Sequence, residues 1–264
     1  SSTHADLLRR YRAMLDSPVY AEDIPRDPRA LYPNHGLAYS LGLLYLGDLV
    51  SAMQKGDAQA AYQPWARHQR FWQMAAAGSV TLLDTMRAVA ELDRNQALLA
   101  DMLKAHPQSI AVARLQVLPL LANRPSLAPL VARSMVFEFQ MQSYVLTDMI
   151  YNASLFATGD EQPADLRDRV ALLFYQRNAS LNLLHRLHEK DLAQNGVTFD
   201  SNKPQSDSDA QDKVSCADQR AWHLLVNPVG KILLCRIGSY DMRQYHERAA
   251  KVAPSTKAVA QTIQ

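Results

Sequence analysis

The chain predicts an all-α fold, a multi-helix bundle-like domain, and three observations carry that expectation. Apolar side chains recur at steps of three and four residues in segment after segment, the spacing that lines one face of a helix rather than the alternation of a strand. Glycine, which would punctuate a strand-and-turn protein, occurs only 9 times in 264 residues. Hydrophobic residues make up 48% of the chain and charged residues 20%, an ordinary balance for a chain long enough to bury a core.

Each element follows from its local pattern. Residues 4–15 read as a short helix with Leu7, Leu8, Tyr11 and Leu15 on one face and Arg9, Arg10 and Arg12 toward water. Residues 17–33 carry Pro18, Pro25, Pro28 and Pro33, so they read as an extended strap anchored by Tyr20, Ile24, Leu31 and Tyr32. An unusually apolar helix spans 36–54, and Gly56-Asp57 breaks it, with Asp57 as N-cap of the next helix at 58–77. Pro64 predicts a kink or restart there, and Trp65, His68, Phe71 and Trp72 make one heavy aromatic face.

Ser79 is the expected cap of a helix at 80–105, whose Asp84, Arg87, Glu91 and Arg94 fall at steps of three and four and read as surface pairs. A helix at 109–122 is weakened near Pro119, and 127–154 and 164–193 read as two long helices. Residues 195–214 are polar and read as a mobile loop, followed by helix at 216–225, a break at Asn227-Pro228, an apolar segment at 229–237 and a charged helix at 240–252. The expected organisation is an N-terminal helix (1–16), a proline-rich strap (17–35), a main helical domain (36–194), a flexible loop (195–214), a C-terminal helical segment packed on the main domain (215–253) and a frayed tail (254–264).

Composition narrows the function classes. A net charge of +2 lacks the basic excess that tracks a phosphate backbone, so nucleic acid is not an expected partner. No apolar run reaches the ~18–20 residues of a membrane-spanning helix. The chain starts Ser1-Ser2 without methionine, which leaves room for a membrane tether through a removed N-terminal segment. The two cysteines, Cys216 and Cys235, suit a bridge in an oxidising compartment or a pair of small buried thiols in a reducing one.

Residues with chemistry are few. His185, His188 and Glu189 share a helix face and could ligate a metal, but their order matches neither zinc-protease pattern and no third ligand is nominated. The plainer reading is two histidines near a helix C-terminus. Glu138, between Phe137 and Phe139, is a candidate acid or base if buried, and a paired or solvent-facing carboxylate otherwise; Asp148 is similar. Asn178 and Asn182 lie one turn apart. The run Asn227-Pro228-Val229-Gly230-Lys231 could aim Lys231 at an anion, or could be a helix break in which Gly230 permits close packing. No Gly-x-Ser-x-Gly elbow, dinucleotide fingerprint, Walker-type loop or calcium loop occurs, so no cofactor is expected.

Three runs taken together, Phe71-Trp72 followed by the 82–90 helix, Arg177-Asn178-x-x-Leu181-Asn182, and Asn227-Pro228-Val229-Gly230-Lys231, resemble a group of uncharacterised proteobacterial proteins that project a helical domain from an N-terminal membrane anchor. The resemblance covers about half the chain and brings no activity with it. It implies an envelope location, periplasmic or inner-membrane-anchored facing the periplasm, with the cytoplasm as alternative. The leading functional expectation is a non-enzymatic envelope domain working through contacts with a protein partner. The alternatives are a binding module for a lipid or other apolar ligand, lined by Met74, Met86, Met135, Phe137 and Met141, and a hydrolase using Glu138 or the His185/His188/Glu189 group.

Overall fold

A computed structural model describes residues 2–22, 35–123, 125–149, 170, 173–194, 227–237 and 243–264. The fold is all-α, and among the described residues every regular element is a helix. The helices are α1 (Ser2–Leu15), α2 (His35–Gln54), α3 (Ala58–Gly78), α4 (Leu82–Ala105), α5 (Ile110–Gln116), α6 (Leu118–Ala122), α7 (Leu127–Tyr144), α8 (Arg177–Gln194), α9 (Pro228–Ile237) and α10 (Arg243–Ile263). A 3-10 turn, Pro107–Ser109, precedes α5, and a π turn, Val145–Met149, follows α7.

The chain forms two compact units. The first comprises Ser1–Ile24, Leu31–Ser134 and Tyr245–Gln264; the second comprises Pro25–Ala30 and Met135–Gln244. The division falls inside α7, between Ser134 and Met135, and α10 from Tyr245 onward is grouped with the first unit.

In the first unit α3 is central and packs against α2 and α4. Its Ala61, Tyr62, Trp65 and His68 are fully buried. Large rings can be buried this deeply because their polar ends find partners. The Tyr62 hydroxyl meets Ser109 Oγ at 2.7 Å, and the Trp65 indole N–H donates to the Asn95 carbonyl at 3.0 Å. Asp57 caps α3 by accepting the Ala60 N–H at 2.9 Å, as expected from the sequence. Pro64 does not restart the helix, which is continuous from Ala58 to Gly78. It deletes one backbone bond, and buried side chains lie on both sides of it.

Other expectations are corrected. Thr81, not Ser79, caps α4, accepting the Asp84 N–H at 3.2 Å, while the Ser79 hydroxyl turns back to the Ala75 carbonyl and closes α3. Asp84 and Glu91 are not surface residues: they are 5% and 1% exposed. The helix expected at 109–122 divides at Val117, because Pro119 can occupy only the first turn of a new helix. The helix expected to run through 164–193 is interrupted at Tyr175-Gln176, where the Tyr175 hydroxyl donates to the Leu146 carbonyl and the Gln176 N–H is taken by the Asn227 side chain. Val170, Leu173 and Phe174 are exposed.

The expected frayed tail at 254–264 is regular helix. Pro254 is accommodated inside α10, Thr256, Val259 and Ile263 are buried, and the Arg114 guanidinium donates to the carbonyls of Ile263 and Gln264. Of the strap, residues 17–22 are described and are not helical, with the Tyr20 ring edge-on to Phe71 at 6.1 Å; Ile24, Leu31 and Tyr32 lie outside the described residues. The loop at 195–214 and the helix expected at 216–225 also lie outside them.

In the second unit α8 packs on α9 and on the π turn. Its core is Leu146, Tyr175, Leu183, Leu184 and Leu234, with Phe139, Leu181 and Leu187 packed against it.

Candidate functional site

Among the described residues, three polar assemblies stand out against these cores. The first is centred on His68, which is fully buried on α3. The Trp72 indole N–H, a donor only, points at His68 Nε2 at 3.1 Å. Nε2 is therefore the accepting nitrogen and Nδ1 carries the proton, donating to Asn95 Oδ1 at 3.0 Å. The Asn95 amide donates onward to Gln69 Oε1 at 3.2 Å. The Tyr11 hydroxyl of α1 also meets His68 Nε2, at 2.9 Å, and the Tyr45 ring of α2 stacks on the imidazole at 5.5 Å. Burial holds His68 down at about 3, so the ring is neutral at ordinary pH. Burial and the Glu91 carboxylate push the Tyr11 phenol well above its ordinary value. Gly42 leaves α2 close to this point, since a Cβ there would sit 3.1 Å from the Tyr11 hydroxyl and 3.5 Å from Glu91.

The network's polar atoms serve one another, so what it does is fix the mutual packing of α1, α2, α3 and α4. Beside it, Arg87 lies over Trp72 at 5.3 Å, and Arg94 binds Glu91 at 2.7 Å while covering the Tyr39 ring at 4.4 Å. Further along α4 both ends of the buried Gln96 amide lack a partner among the described residues. They adjoin a cavity of ≈ 10 Å³ lined by Gln69, Gln73, Leu127 and Thr256, a space on the scale of one water.

The second assembly sits at the start of α4. The Glu22 carboxylate of the strap accepts the backbone N–H groups of Val80 and of Thr81, the latter at 3.0 Å, so an acid answers the unpaired donors of a helix N-terminus. Thr81 Oγ1 lies 3.3 Å from Glu22 and 3.0 Å from the buried Asp84 carboxyl.

The third assembly joins α8 to α9. Asn227 holds a left-handed backbone, φ +54°, a region that asparagine tolerates better than other side chains. Its Oδ1 accepts the N–H groups of Gln176 at 2.9 Å and Gly230 at 3.3 Å, and its Nδ2 donates to Ser180 Oγ at 2.8 Å. One side chain thus caps α9 and secures the approach to α8. A Cβ at Gly230 would collide with Ser180 Oγ and with the Asn227 amide, so glycine is required there. The close-packing reading of this run therefore holds, and the partner of Asn227 is Ser180. Asn178 and Asn182 are exposed on α8, and Lys231 is half-buried.

The remaining sequence candidates do not converge. His185 is exposed and 3.7 Å from Glu189, whereas His188 is buried and donates from Nε2 to Gln142 Oε1 at 3.0 Å. Burial, then the neighbouring His185, lower His188 to about 4, and its Nδ1 has no partner among the described residues. No group of three metal-ligating side chains is found among the described residues. Glu138 is half-buried on α7. The side chain of Asp148 and the whole of Cys216 lie outside the described residues; Cys235 is half-buried on α9. Met74 and Met86 fall in the first unit and Met135, Phe137 and Met141 in the second.

The residues that sequence reasoning missed as a site are Tyr11, Glu22, Gln69, Asp84, Glu91 and Asn95. One signal was available: Glu91 and Asn95 fall in phase with Ala88, Leu92 and Leu99, on the stripe of α4 that must face inward. Comparison of the chain with family models, with curated proteins and with solved structures finds no match.

Proposed function

We propose that the chain is a helical domain of the bacterial cell envelope that works through protein–protein contacts, with α2 presenting the contact surface. The observation that carries this reading is the outer face of α2. Leu41, Tyr45, Leu46, Leu49 and Met53 are buried against the first unit, yet the opposite side is also apolar: Leu37, Leu43 and Leu44 are 43%, 46% and 50% exposed. The segment Gly36–Gln54 has a mean hydropathy of 1.3 and is 33% buried. A helix apolar on both sides needs cover on both sides, and exposed apolar patches on folded domains mark contact sites.

The helix is tied into the fold by polar groups as well. Arg12 pairs with Asp48 at 2.8 Å, and the Tyr45 hydroxyl donates to the Pro64 carbonyl at 3.1 Å. These ties favour a docking face over a free-standing membrane span. A photo-crosslinking amino acid at position 44 in intact cells, with position 248 on α10 as control, tests the reading. Protein adducts at 44 alone, recovered in the envelope fraction, support it. Lipid adducts, equal labelling at both positions, or recovery in the cytosol would overturn it.

A further inference from the structure

Within the first unit, Tyr20 meets the end of α3 at a point where nothing bulkier than glycine fits. The Tyr20 carbonyl abuts Gly78 so closely that a Cβ there would collide with it, and the Tyr20 ring packs on Phe71. Two residues on, the Glu22 carboxylate takes the N–H groups of Val80 and Thr81. This acid is the strap's polar tie to the start of α4. It shares that place with a second acid, the buried Asp84, and the two meet through Thr81 Oγ1 at 3.3 and 3.0 Å. Thr81 has one hydroxyl proton and cannot serve both.

Two carboxyl groups so close, one of them 5% exposed, cannot both ionise without repulsion in a poorly solvated spot. A proton held between them turns the repulsion into a hydrogen bond. Burial comes first and the Asp84 hydrogen bond second among the effects that push Glu22 up to about 7, against the lowering by the two backbone N–H groups. The other charged and titratable groups near this site are the Tyr20 phenol on the strap, Arg87 on α4, and Arg133 of α7, which donates to the Ser79 carbonyl. Glu22 is therefore set to change charge within the range where cells and compartments differ.

We propose that Glu22, set against Asp84, is a pH-operated latch, which holds the strap on the start of α4 while Glu22 carries a proton and loosens it when Glu22 loses that proton to solvent. An acid raised in the folded state favours the docked form most fully below its ordinary value of 4.5; that advantage declines as pH rises and is gone above about 7. The strap is tight in acid and loose in mild alkali.

Hydrogen exchange of the Val80 and Thr81 amides in the full chain reads the latch directly, once rates are corrected for the intrinsic pH dependence of exchange. Protection should fall by about tenfold between pH 6 and pH 8, with α3 amides around Trp65 changing far less. Glu22→Gln and Asp84→Asn each replace the shared proton by a permanent amide donor. Both should keep the acid-pH protection at all pH values. Glu22→Ala should lose it at all pH values, with α3 still protected as a check on folding. A flat profile in the unaltered chain, an unchanged pH response in Glu22→Gln, or full protection in Glu22→Ala would each overturn the proposal.

Discussion

His68 and His188 are both buried, both on helices and both neutral at ordinary pH, yet their surroundings differ. Every polar position of the His68 ring is met: Trp72 and Tyr11 face Nε2, and Asn95 accepts from Nδ1. His188 has Gln142 on one nitrogen and nothing among the described residues on the other, with Phe139 edge-on at 5.4 Å. The difference teaches where each unit keeps its polar specificity. In the first unit it lies in side chains from four helices meeting at one ring. Among the described residues of the second it lies at a backbone crossing, where Asn227 accepts two N–H groups and donates to a hydroxyl, and the buried histidine is a lesser feature.

The largest test of this contrast is His68→Ala. It opens a cavity and strands a tyrosine hydroxyl, an indole N–H and an amide oxygen, and should cost about 4 kcal/mol in urea unfolding followed by circular dichroism. A loss below about 1 kcal/mol would mean the network is not holding the helices together. Next is Gly230→Ala, whose new methyl group would push Ser180 and Asn227 apart. It should cost about 3 kcal/mol in the same measurement and expose the amides of Gln176 and Gly230 to exchange.

Acid sharpens the comparison. Both histidines titrate lower when folded, so between pH 6.5 and their folded values the unfolded chain binds more protons and stability falls as pH falls. His68, at about 3, should contribute about 1.4 kcal/mol per pH unit to the slope over the range 6.5 to about 4, and His68→Leu should remove that contribution while leaving the part that His188 supplies. An unchanged slope in that variant would show that His68 is not held neutral. The smallest effect is expected for His188→Met. It loses one hydrogen bond but removes a buried bare nitrogen, and its stability should stay within about 1 kcal/mol of the unaltered chain. A cost like that of His68→Ala would erase the distinction.

The helices of the first unit were legible because periodicity and caps are local: Asp57 before α3 and the aromatic stripe Trp65-His68-Phe71-Trp72 both read directly. What misled was equally local. Pro64 read as a kink or restart and 254–264 as a frayed tail, yet both Pro64 and Pro254 lie inside continuous helices, since a missing backbone bond is outweighed when side chains before and after it are buried. Asp84 and Glu91 looked like surface charges because carboxylates usually are; the spacing did give Glu91 its pair with Arg94, but only the third dimension supplies Glu22 to Asp84 and Tyr11 to Glu91. The sites share this obstacle. Tyr11 and His68 are 57 positions apart and Ser180 and Asn227 are 47 apart, so no spacing rule connects them. Where the pattern was short, as in Asn227-Pro228-Val229-Gly230, the packing role of glycine was readable, but its partner was not.

The indole of Trp72, donating to the His68 ring, gives the molecule a gauge of its own. A charged imidazole drains excited-state energy from an adjacent indole far better than a neutral one. The glow of this one residue should dim when acid finally reaches the interior, reporting without any added dye that the ring has taken up its proton.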